Sequence, residues 1–331
     1  MTAIDFRQKQ VLVTGAGGFI GSHLCHALVQ AGAKVRALIR YSSQASPGNL
    51  ALLPREIFSE IELAAGNVED TEQMQRASEN CAVVFHLAAL IGIPYSYDAP
   101  RSYLQTNVVG TLNMLEAARA LHTPRVVFCS TSEIYGSART LPITEDHVLQ
   151  GQSPYAASKI AAEKLAESFY CSFQLPVVTL RIFNTYGPFQ SARALIPSII
   201  LQALHQPEVQ LGNLGTRRDF NYVSDTCDGL LRAGAVAGAE GLICNLGTGE
   251  MFTVRNIAEK ILRVMQLEKP ITSVSERLRP EASEVTQLQA DNRLARERLG
   301  WQPQVTLEEG LARTIEYFRQ HSPVSDGRYV V

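Results

Sequence analysis

The stretch from Gln10 to Gly32 restricts what this chain can fold into more than any other. Gln10-Val11-Leu12-Val13-Thr14 is a short apolar run rich in β-branched residues, which predicts a buried strand. Gly15-Ala16-Gly17-Gly18-Phe19-Ile20-Gly21 follows without a spacer. Gly15 suits a tight turn, Gly18 lets a pyrophosphate approach the backbone, and Gly21 lets the next helix pack closely on its strand. Ile20, Leu24, Ala27, Leu28 and Ala31 then keep one apolar helical face until Gly32 ends it. The free N–H groups and positive dipole end of such a helix face an anion. The pattern predicts a dinucleotide-phosphate site at Gly15, Gly18, Phe19, Ile20 and Gly21, against the alternative of a bare strand-to-helix turn.

At 331 residues and 46% hydrophobic, the chain can bury one large core or two modest ones. No segment approaches the roughly 20 uninterrupted apolar residues of a membrane helix, and Met1-Thr2-Ala3-Ile4-Asp5 lacks a signal peptide's apolar core. A soluble, cytoplasmic protein with no membrane partner is expected. Thirty basic and 32 acidic side chains nearly cancel, and no basic run could neutralise a nucleic-acid backbone, so a nucleic-acid partner is not expected. Cys25, Cys81, Cys129, Cys171, Cys227 and Cys244 are scattered singly and read as reduced core residues. His23 and His26 can share a helix face, but no nearby thiol or carboxylate completes a metal site, so no metal is expected.

Strand and helix signals alternate after the opening unit. Lys34 to Ile39, Ile61 to Ala65, Val83 to Leu87 and Arg125 to Ser130 all read as buried strands, the signature of a parallel doubly wound α/β sheet. The second strand ends in Leu38-Ile39-Arg40-Tyr41-Ser42-Ser43, where an NAD site usually places a carboxylate on the adenosine ribose. None is present. Arg40, with Ser42 beside it, points instead to the 2′-phosphate of NADP, with NAD as the alternative. The following loop, Ser42 to Asn49, reads as flexible.

Phe85-His86-Leu87-Ala88-Ala89 ends a strand in small residues, where backbone comes near a ligand at the carboxyl edge of the sheet. A helix over Thr111 to Ala120 turns Leu112, Leu115 and Ala118 inward, with Ala117 at the border of that face and Asn107 ahead of it as a polar strut. Beyond Arg181 the pattern loosens around Pro188, Pro197 and Pro207. A strand near Leu242 to Leu246 and a helix from Val254 to Met265 follow. Residues 1–180 therefore read as the nucleotide-binding domain. Residues 181–331 read as a smaller substrate lobe, interleaved with part of the sheet.

Tyr155-Ala156-Ala157-Ser158-Lys159 opens a long helix after Ser153-Pro154. Tyrosine and lysine four residues apart share a helix face, so the ammonium can stabilise a phenolate and make Tyr155 an acid/base group near neutral pH. Such a pair alone is common on surfaces. Here the strand Val126 to Ser130 ends in Thr131-Ser132-Glu133, two hydroxyls and a carboxylate at the edge where open α/β sheets hold their active sites.

Thr14 to Gly21, His86-Leu87-Ala88-Ala89 and Tyr155 to Lys159 together resemble the extended short-chain dehydrogenase/reductase superfamily of nucleotide-sugar epimerases and dehydratases. Phe183-Asn184-Thr185-Tyr186-Gly187-Pro188, Arg218 to Asp225 and Arg279-Pro280 match its substrate-lobe motifs in order, so the resemblance spans nearly the whole chain. It implies a Rossmann-type sheet with an interleaved C-terminal lobe. Within the superfamily, Thr131-Ser132-Glu133-Ile134-Tyr135-Gly136 resembles the 4,6-dehydratases, especially GDP-mannose 4,6-dehydratase. His86 to Tyr97, Gln150 to Tyr155 and Gln190-Ser191-Ala192-Arg193 resemble the bacterial N-acetylglucosamine-nucleotide dehydratases of legionaminic acid biosynthesis. The chain departs from many NDP-glucose dehydratases in having Ser132 where they have Asp.

The resemblance implies that Tyr155 and Lys159 take the C4 hydroxyl proton while Thr131 holds that oxygen. Glu133 would remove the C5 proton, and Glu133 or Ser132 would protonate the leaving C6 hydroxyl. It adds Asn67, Val68, Leu87, Ala88 and Ala89, with Tyr155 and Lys159, to the cofactor site. It assigns Asn184, Arg193, Arg218 and Arg279 to the substrate, arginine's fork of donors suiting a diphosphate. It also implies homodimers or higher homo-oligomers through the helix after Tyr155, where Ile160, Ala161, Lys164, Leu165 and Ser168 offer a face. A 4-epimerase, a UDP-glucuronate decarboxylase and a catalytically silent dinucleotide sensor remain as alternatives.

Overall fold

A computed structural model describes residues 2–41, 43, 44 and 46–321. Seven strands form one sheet: β1 (Gln10–Thr14), β2 (Lys34–Ile39), β3 (Ile61–Ala65), β4 (Val83–His86), β5 (Arg125–Thr131), β6 (Val177–Ile182) and β7 (Ile243–Leu246). Their order is β7-β6-β5-β4-β1-β2-β3, and every neighbouring pair is parallel. The chain winds outward from β1 to β3 and then resumes at β4 on the other side of β1. That reversal opens a crevice at the carboxyl ends of β1 and β4.

Alternation along the strands feeds two cores. Val11 and Val13 face one side with Leu24, Leu28, Phe85 and Leu230, whereas Leu12 faces the other with Val84, Val126, Leu115 and Phe169. Ile61–Ala65 departs from the expected buried strand. It is the sheet edge, with Ile61 buried but Leu63 42% exposed. An apolar run specifies extended backbone, but its place in the sheet is set by which strands pair beyond it.

The described helices that build the site are α1 (Phe19–Gln30), α2 (Gly110–Ala120), α3 (Pro154–Phe173), α4 (Val223–Ala235) and α5 (Val254–Met265). Gly32, at φ 81°, follows the Ala31 cap of α1 as the pattern anticipated. In α2, Met114 and Leu115 are fully buried while Leu112 is only partly so. A π-helical turn over Leu104–Val109 precedes α2, and Leu115, Ala117 and Ala118 turn inward as expected, with Leu112 packed against the same core. The same turn delivers Asn107, whose amide oxygen accepts from Leu90 N–H at 2.8 Å while its nitrogen donates to Leu90 O and Ser158 Oγ. Ser153 caps α3, its Oγ accepting from Ala156 N–H at 3.1 Å, and Pro154 takes the first helical turn, where no N–H is needed.

Past β6, short strand pairs carry the rest of the site. Asn184–Tyr186 runs parallel to Phe220–Tyr222, and Arg217–Arg218 pairs antiparallel with Phe252–Thr253. Asp219 pins this region, accepting from Thr248 N–H and Oγ1, Gly249 N–H and Ala290 N–H at 2.7–3.1 Å. Burial pushes its carboxyl up to about 6, those donors opposing. The apolar core under β1 continues without a break to Ile257, Trp301 and Leu311. All six cysteines are free, but they are not uniformly core residues: Cys171 is exposed, and Cys129 borders the ligand cavity. No helix among the described residues is long and apolar enough to cross a membrane.

Candidate active site

A cavity of about 880 Å³ follows the carboxyl ends of β1, β2, β4, β5 and β6, from the glycine turn at one end to Arg279 at the other. Gly15, Gly18, Phe19, Ile20, Gly21, Arg40, Asn67, Val68, Leu87, Ala88 and Ala89 line one arm. Ser42 lies outside the described residues. The glycines are needed where they stand. A Cβ on Gly15, at φ 70°, would sit 2.8 Å from Ala88 N, and one on Gly21 would sit 2.2 Å from Gly15 O. No side chain caps the N-terminus of α1, whose first residues open into the cavity. Uncapped N–H groups and a backbone cradle fit a dinucleotide pyrophosphate.

The loop after β2 is not loose at its far end, contrary to the sequence expectation for Ser42 to Asn49. Asn49 N–H donates to Gly17 O at 2.9 Å and Asn49 Nδ2 to Phe189 O at 2.9 Å. Gly48, at φ 64°, would place a Cβ 2.4 Å from Gly17 O. Two glycines thus let the loop cross the phosphate turn in backbone contact. Arg40 stands at the start of this loop, and none of the described residues lining this arm is acidic.

The floor is a polar relay that the sequence reading missed. Thr14 Oγ1 accepts from Leu87 N–H at 3.2 Å and Ala88 N–H at 3.1 Å. His86 Nδ1 lies 2.9 Å from that oxygen, and Nε2 lies 3.1 Å from Thr111 Oγ1. Burial lowers the imidazole to about 3, the Lys159 charge adding to it, so His86 is neutral at physiological pH. A threonine ending β1 beside a histidine ending β4 was the available signal, since the two strands are neighbours.

The second arm holds Thr131, Ser132, Glu133, Tyr155 and Lys159. Thr131 ends β5 and caps the short turn Ser132–Tyr135, its Oγ1 accepting from Glu133 N–H at 3.2 Å. Tyr155, at the start of α3, packs edge-on against Tyr103, with the Thr131 hydroxyl near its phenol. Its phenol is pushed up from the ordinary value, chiefly by burial and further by the Glu133 charge, with the Thr131 hydroxyl opposing. Lys159 Nζ donates to Cys129 O at 2.7 Å and sits 4.6 Å from the centre of the Phe128 ring; burial lowers its pKa. This corrects the expectation of a phenol poised near neutral pH. Four-residue spacing puts the two groups on one face, but desolvation outweighs a cation directed at a carbonyl.

Asn184, Arg193 and Arg279 line the far end. Arg218 does not line it. It is 6% exposed and lies behind the wall, its Nε 3.8 Å from Glu133 Oε1 and its Nη2 3.7 Å from Glu284 Oε1. Its short strand, paired with Phe252–Thr253, turns the side chain inward. Glu284 was not anticipated, and no local pattern marks it. Also missed is a buried hub. Glu163 accepts from Arg181 Nη2 at 2.6 Å and from Ser130 Oγ at 2.5 Å, while Arg181 Nη1 donates to Tyr135 OH at 2.8 Å. It ties α3, β5, β6 and the Glu133 turn into one rigid unit. An arginine inside an apolar strand, and a glutamate one turn after Lys159, were its traces.

With this geometry in view, the family model described as GDP-mannose 4,6 dehydratase matches residues 12–314. The chain belongs to that family. Its members share the extended short-chain dehydrogenase/reductase fold, and this chain is an enzyme of the sugar-nucleotide dehydratase and epimerase group. It is 34% identical over 320 residues to the UDP-glucose 4-epimerase of Mycolicibacterium smegmatis, covering 95% of this chain and 99% of that one. The X-ray structure of Pal from Bacillus thuringiensis superposes with TM-score 0.86 at 31% identity, covering 95% of this chain and all of the other. TunA, an NAD-dependent NDP-hexosamine 5,6-dehydratase of tunicamycin biosynthesis, superposes with TM-score 0.83 at 30% identity, covering 95% and 98%.

Proposed function

We propose that this family member is a nucleotide-sugar 4,6-dehydratase acting on UDP- or GDP-N-acetylglucosamine, with product the 4-keto-6-deoxy sugar. The observation that carries the reading is Glu133, a carboxylate facing the cavity from the same short turn that Thr131 caps, close enough to Tyr155 to act on its phenol. A 4-epimerase needs Tyr155 and Lys159 but no carboxylate there. Its case rests on the 34% identity to an epimerase.

When bound, a nicotinamide dinucleotide supplies the hydride acceptor and later donor, together with a cationic ring that opposes the burial of the phenol. Tyr155 takes the proton of the C4 hydroxyl, Lys159 supplies positive charge on the same helix face, and Thr131 holds the oxygen. The C4 ketone acidifies the C5 proton, which Glu133 removes. The C6 hydroxyl leaves as water with a proton from Glu133 or Ser132, and the resulting C5–C6 double bond takes back the hydride at C6 and a solvent-exchangeable proton at C5. Asn184, Arg193 and Arg279 face the substrate's diphosphate and sugar. Residues 1–180 hold the cofactor and residues 181–331 cover the substrate. The Ile160, Ala161, Lys164, Leu165 and Ser168 face of α3 joins two copies.

Arg40, with no acid beside it, supports NADP as the preferred cofactor, and the NAD dependence of TunA supports the alternative. A panel of UDP- and GDP-sugars, read by product mass and NMR, tests the whole. Loss of water with a new C6 methyl signal is expected. Loss of water without that methyl marks a 5,6-ene product, a C4 epimer with no loss of water marks an epimerase, and carbon dioxide from UDP-glucuronate marks a decarboxylase. Each of the three overturns the proposal.

A further inference from the structure

Residues 46–50, which cross the glycine turn, are also tied to the chain beyond β6. Asn49 donates in two directions, its backbone N–H to Gly17 O at 2.9 Å and its Nδ2 to Phe189 O at 2.9 Å. Ser46, Pro47 and Gly48 line the dinucleotide arm of the cavity. Gln190, next to Phe189, lines the same cavity and donates from Nε2 to Thr185 O at 2.8 Å. One amide therefore joins the wall of the cofactor arm to the wall of the substrate part. Phe189 itself sits at φ 69°, left-handed backbone that a bulky side chain rarely adopts. Its ring stacks on His23 of α1, centroids 4.8 Å apart, and meets Tyr317 edge-on at 5.3 Å, while His23 Nε2 donates to Pro188 O at 2.9 Å. A strained conformation persists where its surroundings over-determine it, and these contacts hold the Phe189 carbonyl toward Asn49.

We propose that residues 46–50 are a strap that retains the dinucleotide, fastened to the substrate lobe by the Asn49 amide, so that a nucleotide in the substrate part slows release of the dinucleotide. This rests on the proposed function, in which hydride taken from C4 returns to C6 and the dinucleotide must stay through both steps. To clear the glycine turn the strap must break the bonds of Asn49 to Gly17 and Phe189. A nucleotide that orders the wall around Gln190 keeps the Phe189 carbonyl in place and the second bond made. The coupling is reciprocal, so the dinucleotide tightens nucleotide binding by the factor by which the nucleotide tightens its own. Asn49 is a positioning residue: it acts through the strap and need touch neither ligand.

The test is the release rate of NADPH and of NADH, followed by fluorescence on chasing with excess oxidised dinucleotide, from wild type, Asn49→Leu and Asn49→Ala, each alone and with saturating UDP or GDP. Both substitutions keep the backbone bond to Gly17 and remove the amide. Melting temperatures identify folded protein, and a misfolded member of the pair leaves the other to decide. Both variants should release the dinucleotide about three- to tenfold faster, the size of one hydrogen bond between neutral groups. The nucleotide that binds wild type should slow its release, and most of that slowing should vanish in the variants, which simple loosening of the loop would not produce. Release unchanged in a folded variant, slowing by nucleotide equal to that in wild type, or a wild type whose release ignores a nucleotide it binds overturns this inference alone. A wild type that binds dinucleotide but neither UDP nor GDP overturns the sugar-nucleotide reading and the coupling with it.

Discussion

Glu133→Gln separates the chemistry of the proposed dehydratase most sharply, because it keeps shape and removes the base. The structural cost is small. Glu133 meets Arg218 at 3.8 Å without a hydrogen bond, and Arg218 keeps Glu284 at 3.7 Å, so losing one partly screened contact costs about 1 kcal/mol. The chemical cost is larger, since a general acid/base group contributes about 10²- to 10⁴-fold, or roughly 3–5 kcal/mol of barrier. Tyr155, Lys159 and Thr131 are untouched, so the variant should still oxidise C4 while reduced cofactor and keto sugar accumulate. In deuterated water the wild type should place deuterium at C5 of its product, and the variant should place little. Equal deuterium at C5, or unchanged water loss in a variant that melts near wild type, would refute the assignment of Glu133 as the base.

Tyr155→Phe should abolish hydride transfer while dinucleotide affinity, measured by titration, stays within about twofold. Because burial raises the phenol, the free protein should keep the Tyr155 proton to a pH above its ordinary value of about 10; a spectrophotometric difference against Tyr155→Phe that shows phenolate earlier would contradict this. Arg40→Asp should narrow or reverse a preference for NADP over NAD, read by titrating both into stripped protein. No change in either affinity would leave Arg40 a solvated loop residue. Glu163→Ala should destabilise the fold by about 3–5 kcal/mol, since Arg181 is left buried without its carboxylate; a urea-unfolding free energy lowered by less than about 1 kcal/mol would contradict the hub.

Features written into neighbouring residues were legible from the sequence. The strand, glycine turn and helix of 10–32 needed only β-branched content, glycine placement and a 3.6-residue period. The helix at Val254–Met265 was legible on the same grounds, and the observed bounds agree. Tyr155 and Lys159 share a face because they are four residues apart, and Thr131 to Glu133 follow a strand that could be read as one.

Tertiary structure decided what depends on distance along the chain. Glu133, Arg218, Arg279 and Glu284 come from segments up to 151 residues apart, and no period records that they meet. Arg218, expected at the diphosphate, lies behind the wall because a two-residue strand pairing turns it there. Ile61–Ala65 reads as a buried strand yet forms an edge, because its burial depends on partners that its own residues do not specify. The state of Tyr155 follows the same rule: helix spacing brings Lys159 onto its face, but the sign of the phenol's shift comes from its burial in the wall, which outweighs the Thr131 hydroxyl and exists only once the chain has closed.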